Sequence, residues 1–222
     1  MLTFYGHPLS SYSQKVLIAL YETGVPFTFR QIDLDKDDDR ALMASIEPMG
    51  RMPGLQDSAR GVILSQSSVM IEYIDRHYPG PHRLLPQDPD QALLARQWAR
   101  FFDFQIMQVM QQIVDARLFM AEGAEPQVTA FAHGKLDLAY AALDQHLTGR
   151  EWALGDYGVV ECAASPSLFY AGILRPFDDY PALSDYFERL LERPSFHRAR
   201  IDALPYLGWF PFQDLIPARF LT

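Results

Sequence analysis

The chain has 222 residues, 49% of them hydrophobic and 21% charged, with 19 basic against 28 acidic side chains and a formal net charge of −9. That composition is ordinary for a globular protein, and its acidic balance argues against a nucleic-acid footprint and against attraction to anionic membrane surfaces. A single cysteine, Cys162, excludes an internal disulfide framework and a cysteine metal cluster, and no apolar run approaches the ~20 residues of a membrane-spanning helix.

In chain order, Leu2-Thr3-Phe4-Tyr5 reads as a strand and Gly6-His7-Pro8 as a polar turn. Val16-Leu17-Ile18-Ala19-Leu20 is the apolar body of a first helix, closed by Gly24 and expected to be capped by Ser13. Residues 27–32 alternate like a strand. The acidic run 33–40 lacks the glycine and the glutamate spacing of a calcium loop, so it reads as a solvated lead into a short helix over 38–46, with no metal. Residues 54–57 and 61–64 suggest a hairpin, and 67–77 returns to helical spacing through Val69, Met70, Tyr73 and Ile74. The order strand–helix–strand–helix–hairpin–helix suits a small mixed sheet with helices on its faces.

The proline-rich stretch 78–89 reads as a linker, so the predicted domains are 1–80, mixed α/β, and 86–222, all-helical. Residues 91–120 form one long amphipathic pattern and 127–147 a second. Residues 159–174 are apolar nearly all round and predict a buried central helix containing an inert Cys162. Shorter helices are expected over 181–192 and 195–203, followed by an irregular aromatic tail over 206–212. No basic-then-apolar leader opens the chain, so the expected setting is the cytoplasm.

Ser10-Ser11-Tyr12-Ser13 stands directly before the apolar run of the first helix. Backbone N–H groups at a helix start lack internal partners and the dipole there is positive, so the spot favours anions, thiolates included. A redox protein of similar layout carries Cys-x-x-Cys at this turn. Ser10 and Ser13 stand there instead, which favours activation of a thiol brought in from outside. Two further motifs follow: Glu47-Pro48-Met49-Gly50-Arg51-Met52-Pro53-Gly54-Leu55, and Gln66-Ser67 just before the third helix.

In this order and spacing, with a helical second half behind them, the three motifs resemble the cytosolic glutathione S-transferases, in particular the bacterial serine-type members. The resemblance covers nearly the whole chain. It implies a thioredoxin-like N-terminal domain, an all-α C-terminal domain, glutathione as cosubstrate, a homodimer and a role in detoxification. It also implies a cis bond before Pro53, which presents the Met52 backbone as an open strand edge to the central residue of glutathione. Gln66 and Ser67 fall where the family binds the γ-glutamyl group, with Gln66 in place of the frequent acid. Arg51 is placed for the glycyl carboxylate. In serine-type members the active hydroxyl lies six residues before a Val or Ile of the first helix, so Val16 marks Ser10 as the catalytic residue. Ser11 is the runner-up, Tyr5 and Tyr12 are lesser candidates, and His7 reads as a turn residue. The family's Ser/Thr-x-x-Asp box before the central helix is Gly158-Val159-Val160-Glu161 here, with Glu161 still able to reach back to the cap N–H.

The electrophile is expected between the domains. Phe102, Gln105, Ile106 and Met110 share one face of the long helix, and Trp209, Phe210 and Phe212 are tail residues able to close a pocket. A stripe of this kind is more often core than pocket lining. Asp103 is a candidate contact for the ligand ammonium, across a dimer interface. The expected reaction is attack of glutathione thiolate on an electrophilic carbon. One rival is glutathione-dependent cis–trans isomerisation of the maleylacetoacetate type, whose enzymes carry Ser-Ser-Cys where Tyr12 stands third here. Another is a non-catalytic binding module of the same fold.

Overall fold

Leu2–Gly6 (β1) buries Leu2, Phe4 and Gly6 and leaves Thr3 and Tyr5 half-buried, the alternation of a strand. In the computed structural model, which describes residues 1–221, β1 lies inside a four-stranded sheet of order β2-β1-β3-β4. Phe27–Gln31 (β2) runs parallel to β1 with Leu2 opposite Phe27. Gly54–Asp57 (β3) runs antiparallel to β1 with Phe4 opposite Leu55, and Val62–Ser65 (β4) closes the hairpin. Three helices complete the unit: Ser11–Thr23 (α1), Asp37–Ile46 (α2) and Ser67–His77 (α3). Leu2, Phe4 and Leu55 of the sheet share one core with Leu17, Leu20, Ile71 and Ile74 of α1 and α3. A Cβ on Gly54 would stand 2.7 Å from Ile46 Cγ2, so the close seating of α2 against β3 requires glycine there.

The cap of α1 is Ser10, which corrects the assignment of that role to Ser13. Ser10 has the extended backbone a cap requires (φ −72°, ψ 121°), and its Oγ accepts from the Ser13 N–H at 3.3 Å. Ser13 sits inside the first turn, fully buried, where its Oγ accepts from the His7 N–H at 3.3 Å.

The second half is helical throughout, which gives a thioredoxin-like unit followed by an all-α part. Pro89–Phe101 (α4), capped by Asp88, runs into a π-helical segment, Phe102–Met107, and on into Gln108–Phe119 (α5). The single amphipathic helix read over 91–120 is therefore interrupted in its middle. Glu125–Leu147 (α6), Val159–Leu174 (α7), Pro181–Glu192 (α8) and Pro194–Ala203 (α9) follow, then 3₁₀ turns at Leu204–Trp209, Gln213–Leu215 and Ala218–Phe220. No helix among the described residues is long and apolar enough to cross a membrane.

α7 is buried at nearly every position, as its all-round apolar pattern predicts. Glu161 does reach back: its Oε2 accepts from the Gly158 N–H at 2.8 Å, while Oε1 accepts from the Ala153 N–H at 2.9 Å and from the Tyr186 hydroxyl at 3.0 Å. Cys162 is fully enclosed in the same helix, and burial pushes its thiol well above the usual range. Polar ties join the two halves. Glu22 of α1 accepts from both arms of Arg193 at 2.8 and 2.6 Å and from the Ser195 hydroxyl at 2.5 Å. Lys15, also on α1, is 1% exposed and meets Asp103 of the π segment.

Candidate functional site

A cavity of about 460 Å³ opens between the sheet unit and the helical part. One side comes from the loop after α2 (Glu47, Met49, Arg51, Met52, Pro53) and from the start of α3 (Gln66 to Val69). Arg100, Asp103, Phe104 and Gln108 form the helical side, and Tyr12 of α1 also lines the space. Two larger openings, of about 550 and 650 Å³, border the linker and hold none of the expected site residues.

The loop is shaped by its own acid. Glu47 Oε2 accepts from the Met49 N–H at 2.8 Å and from the Arg51 N–H at 3.0 Å, and its carbonyl accepts from the Gly50 N–H at 2.8 Å. Gly50 takes the left-handed conformation (φ 67°) that this tight turn requires. The Met52–Pro53 bond is cis. Among the described residues the Met52 N–H and C=O make no backbone hydrogen bond. In sequence Glu47 is only part of the motif; the signal for its role is an acid four residues before the cavity-lining Arg51.

Gln66 is the one non-glycine at positive φ (74°) among the described residues, a conformation that clusters at functional sites. It enters α3 without a side-chain cap. The first N–H groups of α3 therefore have no intrahelical partner, and Ser67, Ser68 and Val69 lie along the cavity.

Beside the cavity, the helical half fixes the turn before α1. The Tyr170 hydroxyl of α7 donates to the Leu9 carbonyl at 2.7 Å, and the buried Gln14 amide donates to the Pro8 carbonyl at 2.8 Å and to Tyr170 Oη at 3.1 Å. His7 Nδ1 accepts from the Leu9 N–H at 3.2 Å, and Trp209 stacks on the His7 ring at a centroid distance of 5.5 Å. Burial lowers the His7 pKa against a weaker upward pull from Asp33. Ser10 and Ser11 are half-buried on this turn and are not among the residues lining the cavity, whereas Tyr12 is. The Tyr12 hydroxyl donates to the Asp103 carbonyl at 3.4 Å, and burial with the nearby Asp103 charge pushes its pKa up to about 12. It stays a neutral phenol at physiological pH.

The helical face turns out differently from its reading in sequence. Phe102 and Ile106 are both 0% exposed and belong to the core; they do not line the cavity. Phe104, 57% exposed, lines it instead, together with Gln108. The π segment carries more residues per turn than an α-helix, so it shifts the phase of everything around it. Phe210 is 6% exposed and packs on Tyr170 at 5.4 Å, while Trp209 is 66% exposed beside the turn. Asp103 is occupied within its own chain by Lys15.

Comparison with known proteins bears directly on this arrangement. The family description "Glutathione S-transferase, N-terminal domain" matches residues 4–82, which contain the loop of Arg51 and the start of α3. A "Probable glutathione S-transferase" of Nicotiana tabacum is 29% identical over 219 residues, covering 96% of this chain and 87% of the relative. Residues 4–82 therefore carry the N-terminal domain of the glutathione S-transferases, and the chain as a whole is similar to these enzymes. "Glutathione S-transferase GstB" of Escherichia coli K12 is 26% identical over 207 residues, covering 89% of this chain and 97% of that transferase. In fold, the chain is similar to the glutathione transferase Ure2p8 of Phanerochaete chrysosporium, solved with oxidized glutathione: TM-score 0.83, 18% identity, 93% of this chain and 96% of that one covered. It is also similar to a glutathione S-transferase of Methylobacillus flagellatus solved with glutathione bound: TM-score 0.80, 23% identity, 90% and 98% covered. Among the motif residues named from the sequence, Arg51, Met52, Pro53, Gln66 and Ser67 come together in one cavity, and the paired serines stand at the start of α1, next in sequence to the cavity-lining Tyr12.

Proposed function

We propose that the protein is a glutathione transferase that binds glutathione in this cavity, keeps its sulfur as the thiolate and directs attack on a carbon of a hydrophobic electrophile, giving a thioether. Residues 1–80 serve as the glutathione-binding domain and 86–222 as the helical domain that supplies the electrophile's wall. One observation carries the reading: Arg51, Met52, Pro53, Gln66 and Ser67 line a single cavity. Arg51 takes the glycyl carboxylate, and the unpaired N–H and C=O of Met52 pair with the cysteinyl residue as an added strand. Ser67 and the open N–H groups of α3 take the γ-glutamyl carboxylate, while Gln66 accepts from the ammonium. The glutathione and oxidized glutathione in the solved fold relatives support glutathione as the ligand.

Ser10 donates one hydrogen bond to the sulfur. Its Oγ already accepts from the Ser13 N–H, which leaves the hydroxyl proton free to face a thiolate. A cysteine thiol titrates near ~8.5, and lowering that by ~2 units takes ~2.7 kcal/mol. A hydrogen bond to a charged acceptor gives ~1.5–3 kcal/mol and a helix terminus ~0.3–1 kcal/mol, so the two suffice. The thiol proton leaves to solvent and Ser10 keeps its own. Proximity to the bound electrophile supplies much of the rest. Phe104 gives the electrophile an aromatic contact, and Trp209 of the tail stacks on His7 of the turn.

The protein works in the cytoplasm as a homodimer, and Val69 of α3 and Leu93 of α4, 48% and 62% exposed, offer apolar surface to a second copy. Sedimentation at micromolar concentration should show the dimer. For the chemistry, ultraviolet titration of the glutathione complex should show thiolate at neutral pH, with turnover of a chloronitroaromatic. Absence of glutathione binding in calorimetry overturns the proposal. Binding without turnover of any electrophile reduces the protein to a binding module.

A further inference from the structure

Resting on that reading of the cavity, we propose that Lys15 is a positioning residue for glutathione. Its buried ammonium holds the Asp103 carboxylate and the Ser68 hydroxyl in a closed ring, which keeps the N-terminus of α3 open for the γ-glutamyl carboxylate. Lys15 Nζ donates to Asp103 Oδ1 at 2.8 Å, to Oδ2 at 2.6 Å and to Ser68 Oγ at 2.8 Å. Ser68 Oγ in turn donates to Asp103 Oδ2 at 3.3 Å. All three ammonium protons are thus used, and the side chain is 1% exposed. Lys15 therefore has no donor left for a ligand and acts only through its two partners.

Both partners line the cavity, and their default behaviour is to close the site. Ser68 is the second residue of α3, where a hydroxyl readily turns back to its own backbone. Asp103 is the carboxylate within bonding distance of that first turn, and an uncapped helix N-terminus attracts the nearest anion. Without Lys15 the Asp103 carboxylate becomes an internal substitute for the ligand's own carboxylate, or repels it across a short distance. The other acid of the cavity, Glu47, is committed to the N–H groups of Met49 and Arg51. The Lys15–Asp103 pair spans 88 residues of sequence and joins α1, the start of α3 and the π segment at one point. Its net charge is zero, so the remaining charges of the cavity lining are Arg51 and Arg100 against Glu47, a positive balance toward an anionic tripeptide.

The test is the dissociation constant for glutathione by calorimetry, with KM and kcat measured beside it. Lys15→Met is expected to weaken glutathione binding by about tenfold while kcat at saturating glutathione changes by less than about threefold. The double variant Lys15→Met/Asp103→Asn is expected to recover binding to within about threefold of wild type, because the competing carboxylate is gone. Unchanged binding in Lys15→Met overturns the role of Lys15. Equal weakening in the single and double variants also overturns it, since the Asp103 carboxylate is then not what competes with the ligand. If Lys15→Met fails to fold, Asp103→Asn alone decides. Binding as tight as wild type or tighter supports the proposal, and loss of binding overturns it by making Asp103 the ligand's own contact. A wild-type protein that binds no glutathione overturns the functional reading as well, which separates the two failures.

Discussion

The two sides of the cavity are built on different physical terms. The side formed by residues 47–53 and 66–69 is made of turns, each specified by its own neighbours. Glu47 folds its carboxylate onto the N–H groups two and four residues later, Gly50 takes positive φ, and Gln66 takes it without being glycine. The opposite side is a helix face over 100–108, where no residue is locally obliged to meet the ligand. Which side chains face the cavity is decided by which face of this segment packs into the core. Phe102 and Phe104 are two residues apart and of one type, yet the first is 0% and the second 57% exposed. A turn encodes its contacts in its own chemistry; a helix face acquires them from packing.

The largest expected effect tests that contrast. Phe102→Ala should destabilise the protein by about 3–5 kcal/mol in chemical denaturation, as loss of a buried aromatic does, while Phe104→Ala changes stability little and raises KM for the electrophile. Comparable stability for the two variants would erase the distinction between them. Next, Ser10→Ala should lower turnover by about 100-fold, the loss of one hydrogen bond to a charged sulfur. The same change removes the cap of α1 at about 0.5–2 kcal/mol, so rates belong well below the melting temperature. Full activity in this variant would move the role to Ser11 or Tyr12. On the turn-built side, Arg51→Ala should weaken glutathione binding by about tenfold with kcat nearly kept; a kcat loss at unchanged affinity would contradict its assignment to the glycyl carboxylate. The smallest effect belongs to Glu47→Gln, which keeps a carbonyl acceptor for Met49 and Arg51 and should shift the glutathione dissociation constant by no more than about threefold. Glu47→Ala, which leaves both N–H groups without their acceptor, should weaken it further.

Much of this architecture is legible in the residue order. The strand alternation of Leu2–Gly6, the glycine that ends α1, the position of α3 and the all-round apolar α7 follow from local propensity and period. Three features do not. Ser10 and Ser13 are both plausible caps by type, and only the extended backbone at Ser10 selects it. The shared face of Phe102, Ile106 and Met110 is legible from their spacing, but the direction it turns is not: packing of the helical half buries it and leaves Phe104 on the cavity side. Lys15 stands between Gln14 and the apolar run of α1 and reads as an ordinary polar residue until its partner 88 residues away is in view.

By itself, then, the sequence determined the succession of elements and the chemistry of the turns that line the cavity, since caps, an X-Pro bond and a left-handed residue are satisfied by atoms a few positions away. Tertiary structure alone decided which aromatic faces the cavity, how α7 pins the turn before α1, and that a buried lysine closes a ring with Asp103 and Ser68. Those outcomes depend on burial and on ion pairing between distant segments, and a charged group is admitted to the interior only when the folded chain brings its partner to it.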